Sequence, residues 1–465
     1  MALNFEPIGL TPLDHIPAKI YIPYMLFFNS TQPKPAIQTL QNGLAKLVSE
    51  LPWLAGDVIA HTEPETRGFI HPPKVSLNEV EMLSVKYFDR DEDFRTHAVS
   101  EYLPVPVFVP ATKQRPVIRL QANIFPTKII VVFSWMHLVF DGSGAGTVLH
   151  ALTECCRAAA DESDDIPLTK TIAATALAQR KEVSTWASKA ETRLSHDLEL
   201  GPPAFDSNIS IEQWGAMESA MGAATSTRRL TFSPEKVANL KAICTKLLPQ
   251  LPETSISSFL SSNDIIAAAL GIALDRVMHE EPADPENPRW TFTATDLRHR
   301  VTPPLPDTYL GNMIFAAWNR IDCGVKRDIR NQDNEADLLH VAQLALQTRA
   351  RITLHMNEVT AYSCSAQVVE SGDWYETEGK PPNVVLTSWR HLRCYALDFG
   401  PGLGFIEDFE PGFSLIPGAC IVLPQRTREL EPTTVAPWEV SVTTMAGQYG
   451  TLVEDRLLSQ ILADE

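Results

Sequence analysis

The stretch Ile129-Ile130-Val131-Val132-Phe133-Ser134-Trp135-Met136-His137-Leu138-Val139-Phe140-Asp141-Gly142-Ser143-Gly144 decides how this chain is read. It begins as an apolar, β-branched run, the pattern of a buried strand. The run stops at His137, and Asp141 then opens a flexible Gly142-Ser143-Gly144 turn. A titratable imidazole is thereby carried at the end of a rigid element, where catalytic groups are commonly presented. The His-x-x-x-Asp spacing has little weight alone. A buried histidine satisfied by nearby backbone is an equal alternative, so the context must decide.

Working outward, Val117 to Ile124 and Lys128 to Trp135 read as a hairpin turning at Pro126-Thr127. Thr147 to Ala159 is helical, with Ser143 as its cap. Upstream, Ile20 to Phe28 reads as a strand broken at Pro23, and Ala36 to Leu51 as a helix with Ile37, Leu40, Leu44, Leu47 and Leu51 on one face. From about 160 to 226 the pattern weakens. The acidic run Asp161 to Asp165 and the breakers Gly201-Pro202-Pro203 suggest a long connection with some helix between two domains.

Order resumes with a strand at Arg229 to Phe232, a helix started by Ser233-Pro234-Glu235, and a helix from Asp264 to Val277 capped by Asn263. Strands are expected near Trp290 to Ala294, Asn383 to Trp389, Ala419 to Leu423 and Val440 to Thr444, and a terminal helix over Leu452 to Ala463. The mixture indicates α/β or α+β domains.

At 465 residues the chain exceeds the usual single-core limit of about 250–300 residues, so two or three domains are expected. With 44% hydrophobic and 21% charged residues it has the makeup of a globular protein. A net charge of −18 argues against a nucleic-acid or anionic-membrane binder, which needs an extended basic face. It leaves room for one basic pocket. Met1 to Pro12 lacks a basic start and a long apolar core, so no secretory signal is expected. The longest apolar run falls short of the roughly 20 residues that span a bilayer. Seven cysteines with no C-x-x-C pair read as reduced thiols in a cytosolic protein, and no metal site is expected.

Several chemistries are missing from the sequence: no G-x-S-x-G, H-E-x-x-H, Walker A loop or G-x-G-x-x-G occurs. His150 with Glu154 reads as a solvated helix-surface pair, and His61 with Glu65 as a polar loop pair. Four other segments add to His137. Asp296-Leu297-Arg298-His299-Arg300, followed by Tyr309-Leu310-Gly311-Asn312, offers arginines able to hold a buried carboxylate. Ser261-Ser262-Asn263-Asp264 opens an alanine-rich helix, Thr387-Ser388-Trp389 ends an apolar strand, and Asp398-Phe399-Gly400-Pro401-Gly402 follows.

Together and in this order, these segments resemble the BAHD acyltransferases, which carry His-x-x-x-Asp-Gly in mid-chain and Asp-Phe-Gly-x-Gly near the end. The resemblance starts at Leu10-Thr11-Pro12-Leu13-Asp14 and spans nearly the whole chain. Pro437-Trp438-Glu439-Val440 is similar to the fungal branch, the trichothecene 3-O-acetyltransferase group. Pro401 stands where plant members usually have tryptophan, which bears on local packing.

The resemblance implies two chloramphenicol-acetyltransferase-like α/β domains, mixed sheets with flanking helices around a central solvent channel. Residues 1–195 would form the first, 196–228 the crossover, and 229–465 the second. It implies direct transfer of an acyl group from acyl-CoA to an alcohol or amine, without an acyl-enzyme; the leading reading is acetyl transfer to a hydroxyl of a small secondary metabolite. Histidine suits the base, with an ordinary pKa near 6.5. His137 takes that role, and Thr387, Trp389 and Asn312 are candidate donors to the oxyanion. By the same resemblance Asp141 pairs with Arg298 as a brace, and Asp398 and Gly400 shape a structural loop. Acyl-CoA enters as a co-substrate, with no bound cofactor. Arg390, Arg393 and Ser262, and also Arg228-Arg229, are candidates for holding it. A cytosolic monomer is expected, with no nucleic-acid or membrane partner. The competing readings are a stand-alone condensation-type enzyme, against which Met136 occupies the usual place of a second histidine, and a non-catalytic small-molecule binder.

Overall fold

The computed structural model describes residues 5–63, 66–91, 99–191, 211–251, 256–279, 288–321, 334–375, 382–412, 416–429 and 435–464. Within them the decisive run is the strand Ile129–Met136, buried along its whole length. Both of its faces are covered. Val131, Phe133 and Trp135 enter the main core of the first half, while Ile130 and Val132 pack with Met25, Tyr102 and Phe125 on the other side. That is why the sequence runs continuously apolar there instead of alternating.

This strand is central to a five-stranded sheet whose spatial order is Asp408–Pro411, Tyr21–Phe28, Ile129–Met136, Ile118–Ile124 and Leu83–Tyr87. The expected hairpin is present, with Ile124 opposite Ile129. Tyr21–Phe28 is unbroken despite Pro23. The Pro23 carbonyl accepts from the Gly412 amide, so its missing N–H lies on the side of the short outer strand and costs no bond to Ile129–Met136. Helices Pro33–Glu50, Gly142–Ala160 and Pro167–Ser184 bury apolar faces on this half. A smaller four-stranded sheet (Ile8–Gly9, Arg67–His71, Asp57–His61, Arg115–Pro116) flanks it.

The second half is a six-stranded mixed sheet in the order Ile314–Arg320, Trp290–Asp296, Val384–Ser388, Ala419–Val422, Trp438–Met445 and Thr225–Phe232. The helix Ser262–Met278 is buried from Asp264 to Asp275. Its alanines let neighbouring helices, including Asn334–His355, approach closely around one core. The two halves have the two-domain α/β architecture the sequence implied.

Several boundaries differ from the sequence reading. Helix Gly142–Ala160 is capped by Asp141, whose carboxylate accepts from the Gly144 amide at 2.9 Å, and not by Ser143. Helix Ser262–Met278 is capped by Ser261, in a capping box with Asp264, and not by Asn263. The C-terminal segment forms two short pieces, Tyr449–Val453 and the 3-10 turn Leu458–Gln460, in place of one helix. The stretch read as a long connection with some helix does contain the helices Pro167–Ser184 and Ile211–Ala224, and Gly201-Pro202-Pro203 lies outside the described residues.

One strand departs from the expected division at residues 196–228. Asp408–Pro411 leaves the second half and pairs antiparallel with Tyr21–Phe28, Phe409 opposite Leu26. Arg229 on the second sheet ties it down: its guanidinium meets Asp408 at 3.0 Å, Glu410 at 2.5 Å and Glu439 at 2.9 Å. Three carboxylates around one cation leave Arg229 a brace, not the phosphate contact the sequence suggested.

Candidate active site

His137 follows directly on Ile129–Met136. Its backbone amide donates to the Ile20 carbonyl at 2.9 Å, which fixes where the turn leaves the sheet. The ring is partly exposed, and Nδ1 is buried with no hydrogen-bond partner among the described residues. Burial lowers the imidazole pKa below its ordinary 6.5, against the opposing pull of the Asp141 charge. At neutral pH this ring is therefore uncharged and able to accept a proton.

Asp141 points away from that ring. Its carboxylate makes paired bonds to Arg298, Nη1 to Oδ2 and Nη2 to Oδ1, both at 2.9 Å. It also accepts from the amides of Gly144 and Met313, each at 2.9 Å. Asp141 is 0% exposed and Arg298 1%, so the pair is fully desolvated. Burial works to raise the Asp141 carboxyl, but the Arg298 charge and these four donors outweigh it and hold the pKa below the usual carboxylate range. Arg298 also bonds Asp296 at 2.9 Å and the carbonyl of Gly311 at 2.9 Å. Since Asp141 belongs to the first half and Arg298 to the second, the pair fastens the two halves at the turn that carries His137.

Trp389 is buried against Tyr24, ring centroids 5.0 Å apart, and its indole lies against the start of helix Gly142–Ala160. A Cβ at Gly142 would fall 2.9 Å from its Nε1, so glycine is required there by close approach and not for a bend. Asn312 is 1% exposed. Its Nδ2 donates to Asp14 Oδ1 at 3.2 Å and to the His137 carbonyl at 2.9 Å. Both amide hydrogens are spent, which leaves none for an oxyanion.

Thr387 lines a cleft of about 520 Å³ in the second half, together with Ser261, Asn263, Asp296, Arg300, Arg349, Ser388, Arg390 and His391. The cleft reaches the first turn of helix Gly142–Ala160 through Asp296, whose Oδ2 accepts from Ser143 at 3.1 Å. Arg349 is paired with Asp264 at 2.8 Å. Arg390 bonds the carbonyls of Pro437 and Ala436 at 2.9 and 2.6 Å and lies 3.8 Å over the Trp438 ring, with burial pushing its pKa down to about 10. Arg300 donates to the Ile352 carbonyl at 3.4 Å, and burial followed by the like charge of Arg349 lowers it too. Two arginines held by neutral carbonyls make this cleft cationic within an acidic protein. Of the residues expected to hold a co-substrate, Arg390 lines it. Ser262 sits between the lining residues Ser261 and Asn263, and Arg393 is exposed beyond Trp389. Sequence reasoning cast Arg300 as a holder of a buried carboxylate and missed Arg349, which only a helix face aligned with Asp264 could have signalled.

The Asp398 loop docks on the first half. Arg157 donates to the Asp398 carbonyl at 2.8 Å, Thr39 to the Pro401 carbonyl at 2.7 Å, and Gly400 N to Asp398 Oδ1 at 2.9 Å. Phe399 is fully buried, edge-on to Phe28 at 5.2 Å, burial that contributes about 1.5–3 kcal/mol. Gly402 has φ +83°, and a Cβ there would meet Ala36 N at 2.5 Å and Pro35 C at 2.8 Å. Gly402→Ala should therefore cost more than the roughly 1–2 kcal/mol of a left-handed residue alone. Thermal unfolding checks this; an unchanged melting temperature would show that the loop does not anchor the halves.

Of the remaining histidine pairs, Glu154 is not solvated. It is 8% exposed and accepts from the Leu168 and Thr169 amides at 3.3 and 3.1 Å, satisfying the start of helix Pro167–Ser184. His61 meets His71 at 2.7 Å, and Glu65 lies outside the described residues.

The comparisons with known proteins bear on the family and the fold. The sequence is 28% identical to fumigaclavine B O-acetyltransferase easN of Aspergillus fumigatus, over 95% of this chain and 94% of that protein. It is 29% identical to communesin N16 acyltransferase cnsK of Penicillium expansum, over 98% of each. Among solved structures, F. graminearum TRI101 complexed with coenzyme A and deoxynivalenol superposes with a TM-score of 0.75 at 18% identity, covering 98% of this chain and 99% of that one. Vinorine synthase superposes with a TM-score of 0.63 at 16% identity, over 100% and 96%. The profile of the Transferase family matches residues 6–434. The match spans most of the chain, and the chain therefore belongs to this family, the BAHD acyltransferases.

Proposed function

We propose that this enzyme transfers an acyl group, acetyl as the leading case, from acyl-CoA to a hydroxyl of a small secondary metabolite. The observation that carries the proposal is a partly exposed His137 at the junction of two halves, its imidazole pKa lowered by burial, with a cationic cleft linked to the helix that follows its turn through the Ser143–Asp296 bond. Arg300 and Arg390 supply the charge that a pyrophosphate and a 3′-phosphate require. His137 removes the acceptor's proton as its oxygen attacks the thioester carbonyl. The Thr387 hydroxyl donates to the oxyanion, with the Trp389 indole as the second candidate. Collapse of the tetrahedral intermediate expels the thiolate, which takes the proton from the imidazolium. Asn312 is assigned a positioning role, because its hydrogens are committed. The six described cysteines are free and buried, which fits a cytosolic setting.

An amine acceptor is the second reading, favoured by the N16 acyltransferase relative. The test is incubation with a panel of acyl-CoAs and an extract of the source organism, following thiol release and the mass of the product. Mild base hydrolyses an ester product and spares an amide. Absence of both acyl-CoA binding and thiol release would sink the enzyme reading and favour a binder.

The pH dependence has a definite sign. Since His137 titrates below 6.5 and must be neutral to accept a proton, kcat/KM should be level near pH 7–8 and fall with acidification. Its half-maximal point should lie below pH 6.5. A midpoint above pH 7 would refute a neutral, desolvated base.

A further inference from the structure

The segment Leu10-Thr11-Pro12-Leu13-Asp14 marks the start of the family resemblance but has no task in the scheme above. Its aspartate is 0% exposed, and Arg180, from the helix Pro167–Ser184, is 4% exposed. Asp14 Oδ2 accepts from Thr11 N at 2.7 Å and Thr11 Oγ1 at 2.9 Å, and forms an ion pair with Arg180. Asp14 Oδ1 accepts from Asn312 N at 2.9 Å and Nδ2 at 3.2 Å. Asn312 Nδ2 in turn donates to the His137 carbonyl at 2.9 Å. Arg180 Nη2 donates to the Val139 carbonyl at 2.8 Å and to the Leu310 carbonyl. Two carbonyls of the turn, at His137 and Val139, are thus held through one buried ion pair. That pair is separate from Asp141–Arg298 and approaches from another part of the chain.

We infer that Asp14 and Arg180 are positioning residues for acyl transfer: they hold the backbone at His137 and Val139, and so aim the imidazole. The inference rests on His137 being the base. Desolvating two ions costs several kcal/mol each, and an apolar pair of similar volume would stabilise the fold as well or better. What an apolar pair could not do is fix two carbonyl positions. A reacting group displaced by about 1 Å loses on the order of a hundredfold in rate, so holding the turn has kinetic value.

The test uses the full chain, with Asp14→Asn, Arg180→Met, Asn312→Ala and the Asp14→Asn/Asn312→Ala pair, each first shown to be folded by circular dichroism. Acetyl-CoA is the donor, with any acceptor that supports thiol release. Each single variant should lower kcat by about ten- to a hundredfold. KM for acetyl-CoA should stay within about twofold of wild type. The double variant should be no slower than the worse single one, because both act through one chain of bonds. Imidazole resonances from 13C-labelled histidine, assigned by comparison with His137→Ala, should show His137 titrating nearer 6.5 in Asp14→Asn and Arg180→Met than in wild type, because a loosened turn admits water. Folded variants with wild-type kcat and an unmoved His137 titration would overturn the inference, as would additive losses. Should Asp14→Asn fail to fold, Thr11→Val and Asn312→Ala carry the same test. If His137→Ala retains turnover, the base assignment fails by itself; the resonance measurement still reads the clamp directly.

Discussion

His137→Ala should lower turnover by about 10²–10⁴-fold while leaving thermal unfolding nearly unchanged. The size follows from the chemistry: a neutral hydroxyl is a poor nucleophile towards a thioester, and no other neutral imidazole stands on the His137 turn. The retained stability follows from the geometry. The turn is held through backbone groups, by His137 N on Ile20, its carbonyl on Asn312 and Val139 on Arg180, none of which the substitution removes. Residual activity should come from positioning in the cleft and should lose its acid limb. Near-normal turnover with an intact acid limb would move the base elsewhere, with His391, 3.1 Å from Ser143, next in line.

Asp141→Ala should destabilise the protein by roughly 3–5 kcal/mol, the range for stranding one partner of a buried ion pair. Arg298 would keep Asp296, which is one-third exposed, and lose its two bonds to a fully buried carboxylate. The Met313 and Gly144 amides would lose their acceptor as well. Asp141→Ala combined with Arg298→Met should recover part of the loss, since no charge is then left unpaired. The pH dependence also follows. Asp141 titrates below its unfolded value of 3.8 in the folded chain, so its contribution is fully present above that value and is lost as pH falls through the lower, folded one. The difference between wild type and Asp141→Ala should therefore be constant from about pH 5 upwards and shrink only in acid. Chemical denaturation at several pH values measures it. Full stability with lost turnover would instead give Asp141 a direct part in the chemistry.

Much of this was readable in the sequence, for physical reasons that differ from residue to residue. Ile129–Met136 was plain because a strand covered on both faces must be apolar throughout. The pairing of Asp141 with Arg298 emerged only with the family resemblance; nothing in a 157-residue separation marks a contact. Arg180 was invisible for a different reason. The buried stripe of its helix is Thr169, Ile172, Ala176, Arg180 and Val183, helical in spacing but with only Ile172 and Val183 as larger apolar side chains. The stripe therefore carries only a weak hydrophobic signal, and its one charged residue reads as surface. Asp408–Pro411 escaped notice because an edge strand of four residues ending in proline has no alternation to detect. The spent hydrogens of Asn312 show a further limit: residue type suggests a donor, but only geometry reveals whether the donor is already engaged.

The excursion of Asp408–Pro411 into the first sheet also sets an order of events during synthesis. Tyr21–Phe28 and Ile129–Met136 leave the ribosome early, yet the outer edge of Tyr21–Phe28 stays bare until Pro411 emerges. At about 5–20 residues per second that wait lasts roughly a quarter of a minute to a minute after Met136. Through that interval the nascent chain presents an unpaired apolar edge, the surface most prone to stray pairing with another chain. The first half therefore cannot mature as a finished unit while the second is still being made, and a fragment ending in the crossover would keep its sheet open indefinitely.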